Sequence, residues 1–188
     1  MLFRSNSNLP MSVGRLELAP KTHTFDAVYR QHFAFVWRNL RRLGIPPDAL
    51  DDAAQEAFLV VHRRLEDFDG RVSIRSWLFG IVYRVALGQN RRLRRHQGHL
   101  PLSSTISCAA PGPHQQAQQA EAIRFLEDFL TGIDPAKRAV FILAELEQMS
   151  APEIAAAVGA RLNTVYSRLR TARVAFRAAV ERRLRGER

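Results

Sequence analysis

From residue 97 to residue 120 the chain carries no lysine, arginine, aspartate or glutamate. The stretch reads QGHLPLSSTISCAAPGPHQQAQQA and is rich in Ser, Pro, Gly and Gln, which is the composition of a flexible linker. In a protein of 188 residues with 28 basic and 18 acidic side chains, such a gap divides the chain into two small domains.

Both flanking segments read as helical, and no strand alternation of useful length is found. Thr24 is placed to cap a helix from Phe25 to about Leu43, stopped by Gly44 and the pair Pro46 and Pro47. A second helix covers about Asp48 to Leu65, and a loop follows over 66–72. Ser73 caps a long third helix from Ile74 to about Arg95. After the linker, periodicity resumes at about Gln118 and runs to Thr131. Asp134 with Pro135 opens another helix to about Glu147. Ser150 and Glu153 form a capping box. Gly159 ends that short helix, and Asn163 is the expected cap of a last helix from Thr164 to about Leu184. The expected organisation is therefore all-α. It comprises a loose tail (1–22, with Met11 as an alternative start to Met1), a first domain (23–96), a flexible linker (97–118) and a second domain (119–188).

The second domain carries the pattern of two helices joined by a short turn that can enter a DNA groove. Ile154, Ala155 and Val158 give the first of them an inner face, and Val165 and Leu169 do so for the second. Tyr166, Ser167, Arg168, Arg170, Thr171 and Arg173 remain for the outside. Arginine forks match guanine edges and phosphates, and Thr164 with the free N–H groups of the helix start suits a phosphate. A solvated basic face is the plainer alternative.

The first domain is electrically uneven. No Lys or Arg lies between Arg42 and Arg63, a stretch that holds Asp48, Asp51, Asp52 and Glu56. Acids near a helix start are favourable on their own, but Gln55 and Glu56 lie deeper, and the patch is suited to docking a basic protein surface. Further on, Arg84, Arg91, Arg92, Arg94 and Arg95 form a cationic run with phosphate-gripping character. Phe68, in a polar loop with Asp67, Asp69 and Gly70, is placed to contact an unstacked base; Trp77 reads as core.

The net charge of +10 points to a polyanionic partner, nucleic acid or an acidic membrane surface. No apolar run is long enough for a membrane span. The single cysteine, Cys108, rules out an internal disulfide and fits a cytoplasmic location. His96, His99, Cys108 and His114 match no compact metal-ligand spacing, so neither metal nor cofactor is expected. No phosphate-cradling glycine loop or nucleophile motif argues for an enzyme.

Three segments, in order, resemble the extracytoplasmic-function (group IV) sigma factors of bacterial RNA polymerase. DDAAQEAFLVVHRRL is similar to the family's helix that docks on the polymerase clamp. SIRSWLFGIVYRVALGQNRRLRR is similar to the helix that melts and holds the minus-ten element. IDPAKRAVFILAELEQMSAPEIAAAVGARLNTVYSRLRTAR resembles the domain that reads the minus-thirty-five duplex and touches the polymerase flap.

The resemblance implies polymerase contacts at Asp52, Gln55 and Glu56, with Asp51 beside them in the acidic patch. It implies minus-ten contacts at Phe68 and Arg84, to which the cationic run adds Arg91, Arg92, Arg94 and Arg95 as phosphate contacts. Minus-thirty-five contacts would fall to Tyr166, Ser167, Arg168, Arg170 and Arg173, beside Thr164, read above as a phosphate contact at the helix start. Core RNA polymerase and promoter DNA would be the partners, with an anti-sigma factor possible. Tyr166 and Asn163 depart from the Lys or Arg and the Gly common in the family. Val85 and Gly88 stand where Asn or Asp is common. The linker is neutral where the family's is often acidic. The alternative is a helix-turn-helix regulator with an N-terminal sensing or dimerisation domain. The acidic helix, aromatic loop and basic helix in succession argue against it.

Overall fold

A computed structural model describes residues 23–96 and 113–186, with side chains described for 23–93 and 119–186. The described residues are all-helical: α1 (Phe25–Arg42), α2 (Leu50–Arg64), α3 (Ile74–His96), α4 (Pro113–Gly132), α5 (Pro135–Phe141), α6 (Ala151–Val158) and α7 (Leu162–Leu184). Single 3-10 turns precede and follow α2, and a π-helical turn (Ile142–Leu146) follows α5. The helices α1, α2 and α3 form one bundle and α4 to α7 a second.

Most boundaries follow from local chemistry. Thr24 Oγ1 accepts from the Ala27 N–H at 3.3 Å and starts α1. Ser73 Oγ accepts from the Ser76 N–H at 3.1 Å and starts α3. Asp134 Oδ1 accepts from Ala136 and Lys137 at 3.0 and 3.2 Å, and Pro135 follows it at the first helical position. At α6 the Glu153 carboxylate accepts from the Ser150 N–H at 3.0 Å and from its hydroxyl at 2.7 Å, completing the capping box.

Three boundaries differ from the sequence expectation. Helix α4 begins at Pro113 rather than near Gln118, because proline suits a first turn and the Gln and Ala that follow are sound helix formers. The last helix begins at Leu162 with Arg161 as its N-cap, so Asn163 sits inside the first turn and caps nothing. Helix α5 stops at Phe141, and the wider π turn carries the chain to Glu147. There the Glu147 N–H donates to Ile142 C=O at 3.0 Å, five residues back.

The first bundle buries Val28, Phe35, Val36 and Leu40 of α1, Ala53, Ala57, Phe58 and Val61 of α2, and Leu78, Phe79, Ile81 and Val82 of α3. The second buries Leu130, Ala139, Val140, Phe141, Ile142, Leu143, Ile154 and Val165. Phe125, Phe129, Phe141 and Phe176 stack as an aromatic cluster holding α4, α5 and α7 together. The two bundles also pack on each other, α3 against α6, and their cores are continuous. Gly80 of α3 permits this approach: a Cβ there would lie 3.0 Å from Ala157 C=O. Gly44, at φ +90, does so at the other end, where a Cβ would lie 2.5 Å from Arg138 Nη1.

Candidate nucleic-acid interface

Helix α7 is anchored along one line. Val165, Leu169 and Ala172 are buried, spaced four and three residues apart as one helix face requires. That anchoring turns Tyr166, Ser167, Arg170, Thr171 and Arg173 outward, all exposed. Tyr166 is 54% exposed although it is aromatic. Thr164 and Arg168 are partly covered. Arg168 lies close enough to Tyr83 of α3 to act on it: burial raises the phenol's pKa, and the Arg168 charge partly offsets that rise. Arg173 is engaged within the chain, its guanidinium 2.8 Å from the Glu145 carboxylate. The exposed outer row thus holds Tyr166, Ser167 and Arg170 free to meet a groove, while Arg173 must exchange Glu145 for any phosphate.

Helix α3 carries the second basic set. Arg84 is exposed, and its Nη1 donates to Gly80 C=O at 3.1 Å. Arg91 and Arg92 are exposed near the end of the helix. Arg94 and Arg95 lie in the helical backbone, but their side chains fall outside the described residues, as do His96, His99, Cys108 and His114. Phe68 is half-buried, packed on Trp77 at 5.4 Å between ring centroids and on His23 at 5.6 Å. It caps the start of α3 at the edge of the bundle.

The acidic face of α2 divides in two. Asp51, Asp52 and Gln55 are exposed, and Asp51 accepts from the Trp37 indole N–H at 3.3 Å. Glu56 is occupied within the bundle. It accepts from the Gln89 amide at 2.7 Å and lies 3.8 Å from Arg92. Glu56 therefore meets Arg92, a residue read from the sequence as a phosphate contact. This pairing supplies the reason that its depth in the helix demanded.

Sequence reasoning missed two features. An apolar groove between α1 and α2 is lined by Phe25, Tyr29, Phe33, Phe58 and Leu59, with Asp51 and Gln55 at its rim. Tyr29, Phe33 and Leu59 stay exposed at 40%, 38% and 52%, more apolar surface than a closed monomer face requires. The signal was present: Phe25, Tyr29 and Phe33 recur every four residues on α1, one line beside its core face. A second groove runs between α4 and α7, lined by Phe125, Leu126, Leu146, Phe176 and Val180 and rimmed by Arg173, Arg177 and Arg183. Among the described residues no group of His, Cys, Asp and Glu is arranged to hold a metal, and no helix is long and apolar enough to cross a membrane.

Comparison with known proteins matches both bundles. Sigma-70 region 2 matches residues 28–97, and Sigma-70 region 4 matches residues 126–176. The ferric citrate uptake sigma factor FecI of Escherichia coli is 30% identical over 145 residues, covering 76% of this chain and 82% of FecI. The RNA polymerase sigma factor CnrH of Cupriavidus metallidurans is 28% identical over 169 residues, covering 84% of this chain and 86% of CnrH. The structure of CnrH in complex with the cytosolic domain of CnrY superposes with a TM-score of 0.60 at 27% identity, over 84% of this chain and 87% of that one. The fold is shared also by the sigma factor RpoE of Bartonella quintana, solved with the anti-sigma factor NepR, at a TM-score of 0.65 and 22% identity, over 81% of this chain and 96% of that one. The chain belongs to the extracytoplasmic-function sigma factors, non-enzymatic proteins that act in transcription initiation by bacterial RNA polymerase.

Proposed function

We propose that the two bundles divide promoter recognition between them. The second reads the minus-thirty-five duplex through α7, and the first docks on core polymerase and opens the minus-ten element. The observation that carries this is the outward row of Tyr166, Ser167 and Arg170 on a helix pinned from behind by Val165, Leu169 and Ala172. Such a row fits a major groove, where an arginine fork reads guanine and the preceding turn positions the backbone.

Asp51, Asp52 and Gln55, beside the α1–α2 groove, suit a basic and partly apolar polymerase surface such as the clamp. The α4–α7 groove, with its arginine rim, suits an apolar helix from the flap. Arg84, Arg91 and Arg92 would hold the backbone of the separating strand, with Arg94 and Arg95 continuing the run, and Phe68 would rotate from Trp77 onto an unstacked base. Trapping that base offsets an unstacking cost of a few kcal/mol without ATP. Glu56, whose side chain remains partly exposed, would join Asp51, Asp52 and Gln55 at the polymerase surface while also setting Arg92. An anti-sigma factor would act by covering these same grooves.

Footprinting with core polymerase on promoter fragments tests the division. Upstream duplex protection that disappears in Arg170→Ala, with permanganate-reactive thymines downstream that fade in Phe68→Ala, is the expected pattern. Protection lost or kept equally at both ends in both variants would refute it.

A further inference from the structure

We propose that Asn163 is a base-reading residue of the upstream contact, and that it recognises an adenine edge in the major groove ahead of Arg170. The inference rests on the duplex reading by α7 given above and adds the base that the first turn of that helix selects.

Asn163 is spare in the fold. Helix α7 starts at Leu162, with Arg161 as an extended N-cap whose C=O accepts from the Val165 N–H at 3.1 Å. The cap position, where an asparagine is usually consumed, therefore belongs to Arg161, and Asn163 stands second in the helix. Its side chain is exposed and makes no hydrogen bond among the described residues. Asparagine is a weak helix former once past the cap, so helix stability gives no reason for it there.

The helix aims it outward. At about 100° per residue, Asn163, Ser167, Arg170 and Val174 share one line along α7, roughly opposite the buried Val165, Leu169 and Ala172. All four are exposed. Asn163 is the member of that line nearest the turn. The start of the second helix in such a pair enters the major groove most deeply, so a short side chain meets a base edge there. Two other arginines of the helix are less available: Arg173 is paired with Glu145 at 2.8 Å, and Arg168 is partly covered. Asn163 and Arg170 remain as the planar side chains of the line that can meet one base with two hydrogen bonds.

The chemistry of a carboxamide selects adenine. Asn163 offers one acceptor, Oδ1, beside the donors on Nδ2. Adenine presents the complement in the major groove, with N6–H donating to Oδ1 and N7 accepting from Nδ2. Guanine puts its O6 acceptor where that donor should be, cytosine offers only a donor, and thymine offers an acceptor beside a methyl group. The first turn of α7 carries no acid, and exposed Arg161 adjoins it, so the phosphates flanking the base meet no repulsion. Asn163 and Arg170 lie about two helical turns apart, or about 10 Å along the axis. The adenine and the guanine read by Arg170 should therefore fall within half a turn of duplex, about five base pairs.

The test lets core polymerase carrying the full chain select from promoter fragments randomised over the upstream element, with the bound fragments sequenced. Asn163→Ala, Asn163→Asp and Arg170→Ala run in parallel, each checked for unchanged circular dichroism. The wild type should prefer adenine about tenfold at one position, within five or so base pairs of the guanine preference that Arg170→Ala removes. Asn163→Ala should erase the adenine preference and leave the other positions alone. Asn163→Asp should turn it toward cytosine, because a carboxylate only accepts and cytosine N4–H donates. That carboxylate also suits the first turn of a helix, so the variant keeps the fold. A preference unchanged in Asn163→Ala, or weakened equally at every position as loss of a phosphate contact would do, would overturn the proposal. Loss of the guanine preference in Arg170→Ala with Asn163→Ala silent would sink the assignment and leave the reading helix standing. A wild-type chain that enriches no upstream sequence would sink the reading itself, and the assignment with it.

Discussion

Helices α3 and α7 are each 23 residues long and rich in arginine, yet the protein uses them in opposite ways. Along α3, Leu78, Phe79, Ile81, Val82, Val85 and Ala86 are buried, and Gly80 and Ser76 meet the second bundle, so α3 is a central pillar. Along α7 only Val165, Leu169 and Ala172 are buried, and one broad side stays open. Similar charge on a similar length therefore says little about role. Under the proposed function, what separates the supporting helix from the reading helix is how many of its faces are already filled.

That contrast can be broken most severely in the core. Phe79→Ala in α3 should destabilise the protein by about 3–5 kcal/mol, since a fully buried ring leaves a cavity that the pillar cannot close. Leu169→Ala in α7 should cost only about 2–3 kcal/mol, because its site is nearer solvent and can relax. Urea unfolding of both variants checks the ratio, and equal losses would erase the distinction. At the surface, Arg170→Ala should leave the unfolding midpoint unchanged while weakening upstream duplex binding by about 1–2 kcal/mol, read by fluorescence anisotropy at fixed salt.

The smallest effect is expected where α6 presents α7. Ser150→Ala should cost about 1 kcal/mol by removing one arm of the capping box. The Glu153 carboxyl is held below its ordinary value first by the Ser150 hydroxyl and then by the Ser150 N–H. Its contribution is thus fully present above the unfolded carboxyl's pKa of 4.5 and is lost as pH falls through the lower folded value. The melting temperature of Ser150→Ala should accordingly fall less steeply on acidification than that of the wild type.

Features set by neighbours in the chain could be read in advance. The caps at Thr24, Ser73, Asp134 and Ser150 and the inner face of α7 are local chemistry, and each formed as expected; on α6 Ile154 is buried as expected, but Ala157 is buried while Ala155 and Val158 are only partly covered. Features set by distant partners could not. Asn163 is a good capping residue, but with Val165 and Leu169 packed in the core α7 starts two residues earlier, capped by Arg161. Glu147 read as the end of a helix because its partners lie over seventy residues away in sequence, and a π turn leaves no mark in an apolar period. The pairing of Glu56 with Gln89 and Arg92 could not be read in advance, because these partners reach it only after α2 and α3 pack. The exposed ring line of Phe25, Tyr29 and Phe33 was readable, yet a four-residue aromatic spacing resembles a core face until the true core occupies the neighbouring line.

Transcription by purified core RNA polymerase on a pool of bacterial promoter fragments, with and without this chain, tests the promoter role most directly. The chain should produce discrete transcripts whose start sites share one upstream and one downstream sequence element at constant spacing, and none without it. A chain that leaves polymerase silent while binding a palindromic duplex as a symmetric dimer would contradict the account.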